Sequence, residues 1–282
     1  MPDAVHRLLA TSDLHFHLHP EGDAATAELA AFVCESDCDA FAIAGDVGGA
    51  HPKDFEQCLQ LFAGFKGLKL LVPGNHDLWT STGDSLRKYC NVLPRLTRKC
   101  GFHYLDSRPL VAGSVGFIGN IGWYDYSFRN PRIGLTVADY RRKAVPGLCT
   151  WNDRDYIRWR LDDAQFTERC LGRLRRHHRS VEPQVEQVVC VLHHVPFAEL
   201  LYGPADAALE FCRAYLGSEQ FGLLLVGCPK VRYVICGHRH GQASCEQGNL
   251  KAFVTGSDYA RKRLLEIDLA SGQHQSREFA AG

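Results

Sequence analysis

The chain has 282 residues, and its 32 Lys and Arg against 32 Asp and Glu leave no formal net charge. Neutrality disfavours a protein that clamps long stretches of nucleic acid phosphate and favours a small or weakly charged partner. A hydrophobic share of 45% with 23% charged residues excludes disordered, collagenous and coiled-coil chains.

Length and composition predict a single α/β domain over residues 1–282, large enough to fold without a disulfide or a structural metal. The start Met1-Pro2-Asp3-Ala4-Val5-His6 has no basic, apolar and small-residue succession. Apolar runs such as Leu223-Leu224-Leu225-Val226 are far shorter than the roughly 20 residues of a membrane span. These features predict a cytoplasmic protein without a membrane partner, in which the 12 cysteines are reduced and mostly buried.

In chain order, a strand over 7–10 runs into Asp13-Leu14-His15, and a helix over 23–36 follows. A strand over 40–44 runs into Gly45-Asp46, a helix over 52–65 follows, and a strand over 68–72 runs into Gly74-Asn75-His76-Asp77. A strand over 115–118 opens the irregular stretch 119–187, which holds a helix over 162–178, three of the four tryptophans and a local excess of arginine. A strand over 188–192 then runs into His193-His194, a helix over 204–216 follows, and a strand over 231–236 runs into Gly237-His238-Arg239-His240. Strands over 252–255 and 264–267 complete the pattern. Short β-rich runs alternating with amphipathic ones read as an α/β sheet, whose ligands bind at the carboxyl ends of the strands.

Five polar clusters at strand ends are therefore expected to converge. They supply carboxylate, imidazole and amide oxygen without thiolate, a donor set suited to manganese, iron or zinc rather than to a closed structural zinc site. In extended backbone residues i and i+2 point the same way, so the D-x-H and H-x-H pairs are expected to face one cavity from extended segments. Gly45, Gly74 and Gly237 are expected to permit the sharp turns there.

The ordered set D-x-H, G-D, G-N-H-D, H-H and G-H-x-H, spanning Asp13 to His240, resembles the calcineurin-like metallophosphoesterase superfamily. The resemblance implies a four-layered α/β/β/α sandwich of two mixed sheets, with a dimetal centre at strand ends. It implies that Asp13, His15 and His240 hold one metal, that Asp46 bridges, and that Asn75, His193 and His238 hold the other. His194 is then a neighbour behind the ligands. His76, steered by Asp77, would contact the phosphate and protonate the leaving oxygen. The expected reaction is hydrolysis of a small phosphate mono- or diester by a metal-bridging hydroxide.

Details of the blocks point within the superfamily toward small cyclic-nucleotide and glycerophosphodiester phosphodiesterases: no arginine follows Gly45-Asp46-Val47-Gly48-Gly49, and position 49 is not tyrosine. The alternatives are a nuclease of the same superfamily and a non-catalytic interaction module. A cysteine phosphatase built on Cys170 and Arg176 is disfavoured because no strand precedes them, and the lysine of a P-loop is absent. The stretch 119–187 is read as a cap, with Trp123, Tyr124 or Trp151 stacking on the substrate and Arg154 reading a second charge.

Overall fold

The computed structural model describes residues 4–201, 203 and 206–281. Strands β1 (Arg7–Thr11), β2 (Ala40–Ala44), β3 (Leu68–Val72) and β4 (His103–Tyr104) run parallel in one sheet. β5 (Leu110–Ala112) pairs antiparallel with β6 (Val115–Asn120) in a second sheet, and a small hairpin, β7 (Ala144–Val145) and β8 (Cys149–Thr150), stands apart. The second sheet continues through β9 (Gln187–Leu192), β10 (Val231–Cys236), β11 (Ala243–Gln247) and β12 (Leu250–Val254). β13 (Lys262–Asp268) returns to the first sheet antiparallel to β1, and β14 (His274–Phe279) pairs antiparallel with β13 at its edge. The orders are β14-β13-β1-β2-β3-β4 and β11-β12-β10-β9-β6-β5, so both sheets are mixed and six-stranded.

Alternation along the strands explains how the sheets stack. In β2 Ala40, Ala42 and Ala44 join one buried cluster and Phe41 and Ile43 another; β9 splits Val189 and Val191 from Val188, Cys190 and Leu192 in the same way. The first cluster draws on both sheets and fills the layer between them, its alanines and valines interleaved with larger side chains such as Leu70, Phe117 and Phe253, while the second faces the helices. Helix Pro20–Glu35 packs on β13 and β14, and helix Asp163–Val181 packs on β6. The outcome is the expected α/β/β/α sandwich.

Element boundaries differ from expectation where capping decides them. The first helix starts at Pro20 because proline fits the first helical position, where its missing N–H loses no bond. The helix expected over 204–216 spans Ala207–Arg213, with Asp206 capping it by accepting from the Leu209 N–H; residues 204 and 205 lie outside the described residues. Edge strand β14, His-Gln-Ser-Arg-Glu-Phe, is almost wholly exposed and lacks an apolar pattern, so periodicity does not find it. A helical run over residues 85–99 was not anticipated either; it widens into a π-turn at Lys88–Val92, just before Pro94, which has no N–H to give. The stretch 119–187 divides in two: residues 121–162 are irregular with short elements, while Asp163–Val181 belongs to the outer helical layer.

Candidate metal centre

All five polar clusters follow the carboxyl ends of parallel strands, those after β1, β2 and β3 from one sheet and those after β9 and β10 from the other. Backbone hydrogen bonds lace the loops together. Asp13 N–H donates to Gly45 O at 3.0 Å, His15 N–H to Asp46 O at 3.0 Å, and Gly237 N–H to His193 O at 3.1 Å. Asp77, expected to steer His76, accepts instead from the N–H groups of Val47, Gly48 and Gly74 at 3.0, 3.1 and 2.8 Å, so its carboxylate ties two of these loops.

The D-x-H and H-x-H pairs are not extended. Asp13, His15, His238 and His240 have φ of 54°, 45°, 69° and 57°, and Asp46 has 53°, so these side chains converge from left-handed backbone. The glycines serve two ends. Gly45 has φ +86°, a turn open to glycine, whereas Gly74 is needed for close approach: a Cβ there would lie 2.0 Å from Asp46 Oδ1.

Donor atoms gather in two groups, each within 4.8 Å: Asp13, His15, Asp46 and His240, and Asp46, His193 and His238. Asp46 belongs to both. The Asn75 Oδ1 lies 3.1 Å from His193 Nε2 and joins the second group. His193 Nδ1 faces the carbonyl of Ala44 at 2.9 Å and His238 Nε2 that of Tyr215 at 3.3 Å. With those outer nitrogens as donors, the inner nitrogens, His193 Nε2 and His238 Nδ1, can point bare lone pairs at each other across 3.1 Å. His15 Nε2 and His240 Nε2 stand 3.0 Å apart, while Asp46 Oδ2, fully buried, has no hydrogen-bond partner. A shared cation satisfies such converging acceptors, and the residues therefore fit a pair of metal ions bound by oxygen and nitrogen.

Without an ion, protons take the place of the cation and the buried charges compensate one another. Burial by itself would lower His193, but the adjacent Asp46 carboxylate outweighs it and raises the imidazole to about 9. Burial would raise Asp46, and His193 and His76 beside it hold it well below the carboxylate range. His15 and His238 are driven down, first by burial and then by neighbouring imidazoles. His194 packs behind them with its ring 4.3 Å from His238 and its Nδ1 2.9 Å from Ile121 O, and burial lowers it to about 3.

A cavity of about 310 Å³ opens over the centre, with Asn75, His76, His238 and His240 on one side and Leu209, Cys212 and Leu216 on the other. The expected substrate contacts separate sharply here. Trp151 lines the cavity, stacked on Tyr215 with rings 8° apart. Trp123 and Tyr124 are wholly buried, packed on each other and on His194, and present no face to a ligand. Arg154 is exposed beside Asp155 and is absent from the cavity wall. Burial wins over exposure for Trp123 because its indole N–H finds Asp163 at 2.9 Å inside the protein.

Three residues at the site carried no signal that set them apart in the sequence. Trp79 stacks on His76 with centroids 3.6 Å apart, Tyr259 lies 4.7 Å from His15 and 4.9 Å from His240, and Asp153 sits just beneath the cavity. Trp79 follows G-N-H-D-L directly, so its place after a recognised block was the one available hint.

The sequence model of the family described as Calcineurin-like phosphoesterase matches residues 6–242, and the chain belongs to that family. Its fold is similar to phosphopantetheinyl hydrolase from Mycobacterium tuberculosis, at 18% identity over 90% of this chain and 91% of that one, with a TM-score of 0.70. It is also similar to a dimetal phosphatase from Danio rerio, at 13% identity over 99% of this chain and 100% of that one, with a TM-score of 0.56. No curated protein matches the chain. No helix among the described residues is long and apolar enough to cross a membrane.

Proposed function

We propose that this phosphoesterase hydrolyses a small phosphate mono- or diester whose leaving group is neutral and partly apolar, using two metal ions drawn from manganese, iron and zinc. The observation that carries the reading is Asp46, a buried carboxylate shared by two groups of inward-facing donors. Asp13, His15 and His240 would hold one ion, Asn75, His193 and His238 the other, and Asp46 both. Bound there, the ions supply an activated water and charge to stabilise the phosphoryl oxygens.

The chain's own residues do the rest. His76 is pinned flat against Trp79 and its Nδ1 is buried without a partner, which leaves Nε2 to reach the ligand and move a proton to the leaving oxygen. Leu209 and Leu216 favour an apolar leaving group, while the rings of Trp79, Trp151 and Tyr259 narrow the cavity around it and exclude water. Among the described residues the wall contains no lysine and a single arginine, Arg239, which argues against a long polyanion and hence against a nuclease.

Oxygen-18 from solvent water is expected in the product of a single turnover on bis(p-nitrophenyl) phosphate, with plasmid DNA left uncut. A trapped covalent phosphoenzyme, or an inert wild type replete with two metals, would overturn the reading. His76→Gln is expected to lower kcat about 10²- to 10⁴-fold while both metals are retained.

A further inference from the structure

Asp153 lies in the short helix Asp153–Tyr156 of the irregular stretch and is 1% exposed. Each of its oxygens accepts two hydrogen bonds. Oδ1 takes the Asn75 amide N–H at 2.9 Å and the Trp79 indole N–H at 2.6 Å; Oδ2 takes the Tyr124 hydroxyl at 2.9 Å and the Trp151 indole N–H at 2.9 Å. The four donors come from three segments of the chain, Asn75 and Trp79 from one of them, and Asn75, Trp79 and Trp151 face the cavity.

A side-chain amide has one ligating end and one that repels a cation, and the two differ little in size. Asn75 needs something to choose between them. Asp153 Oδ1 accepts from Asn75 and from Trp79 alike, so the Asn75 NH₂ turns toward it and Oδ1 toward His193. The same carboxylate anchors the indole on which the His76 ring lies, since Trp79 reaches Oδ1 alongside Asn75.

We propose that Asp153 is the positioning residue of the centre, setting the ligating end of Asn75 and the platform under His76 from outside the five strand-end blocks. The inference rests on the dimetal reading above. Loss of an outer partner of this kind is expected to weaken the ion held by Asn75 about ten- to a hundredfold. An asparagine at position 153 keeps one acceptor oxygen but sets an NH₂ against donors, Trp79 or Trp151 according to its own orientation, so it holds the Asn75 orientation less firmly. Exchanging the pair, Asp153→Asn with Asn75→Asp, restores one carboxylate and one amide and makes the orientation of residue 75 immaterial.

The test is titration of metal-stripped protein with Mn²⁺ or Zn²⁺ by equilibrium dialysis and elemental analysis, with thermal midpoints recorded in parallel. Wild type is expected to take up two ions, Asp153→Asn to bind one of them ten- to a hundredfold more weakly, and the exchanged double variant to regain most of that loss. A merely structural residue would lower the thermal midpoint and leave both affinities intact, and that result would overturn the inference while the dimetal reading stood. A wild type that binds no metal would remove the dimetal reading and the inference with it. Asp153→Ala should match or exceed the loss in Asp153→Asn; should it fail to fold, the near-isosteric Asp153→Asn decides alone.

Discussion

Two cavities open at opposite ends of the stacked sheets. The one at the carboxyl ends of the parallel strands measures about 310 Å³; the one at the amino ends, bordered by His6, Ser114, Glu186, Arg232 and Lys251, is larger at about 440 Å³. Size thus points to the wrong end. Among the described residues, the smaller cavity has what the larger lacks: donor atoms within 4.8 Å of one another and a buried carboxylate oxygen with no hydrogen bond. Mixed acids and bases at the amino ends can be solvated or paired, whereas converging acceptors at the carboxyl ends call for a cation.

Substitutions can break or sharpen this contrast. Asp46→Ala removes the donor common to both groups, so metal content should fall below two ions per chain. Activity should fall by more than about 10³-fold, beyond the loss of a single charge-stabilising group; elemental analysis with steady-state kinetics checks both. Trp151→Ala takes an aromatic wall from the same cavity, and KM for an aryl phosphodiester should rise roughly 3- to 10-fold, equivalent to about 0.5–1.5 kcal/mol of ring contact. Arg232→Ala at the amino-end cavity should leave kcat/KM within about twofold and stability within about 0.5 kcal/mol. A large kinetic effect there would show that the bigger cavity takes part in the chemistry.

How much of this was legible in the sequence varies with the range over which each signal acts. The sandwich and the strand-end clusters could be read because β-periodicity and short motifs are local. The choice of His193 over His194 followed a local element as well, and the two rings do face different ways, His193 toward Asn75 and Asp46 and His194 behind them. Trp123 and Tyr124 went astray because stretch composition says nothing of which aromatic faces inward. Asp153 carries no local signal, since its partners include residues as far as 78 positions away in the chain. Left-handed backbone at histidine could not be foreseen, because glycine is the residue that advertises it.

That backbone has a consequence for anyone who engineers this protein. His15, His238 and His240 hold left-handed conformations that cost a residue with a Cβ about 1 kcal/mol or more each, against a net stability of about 5–15 kcal/mol for a whole domain. Glycine or asparagine relieves that strain and deletes a ligand in the same step. A thermostability screen run on metal-stripped protein is therefore expected to enrich inactive variants at these positions, and the same screen run with metal to reject them. Durability and catalysis are opposed at three specific codons, and the ion present during selection decides which is kept.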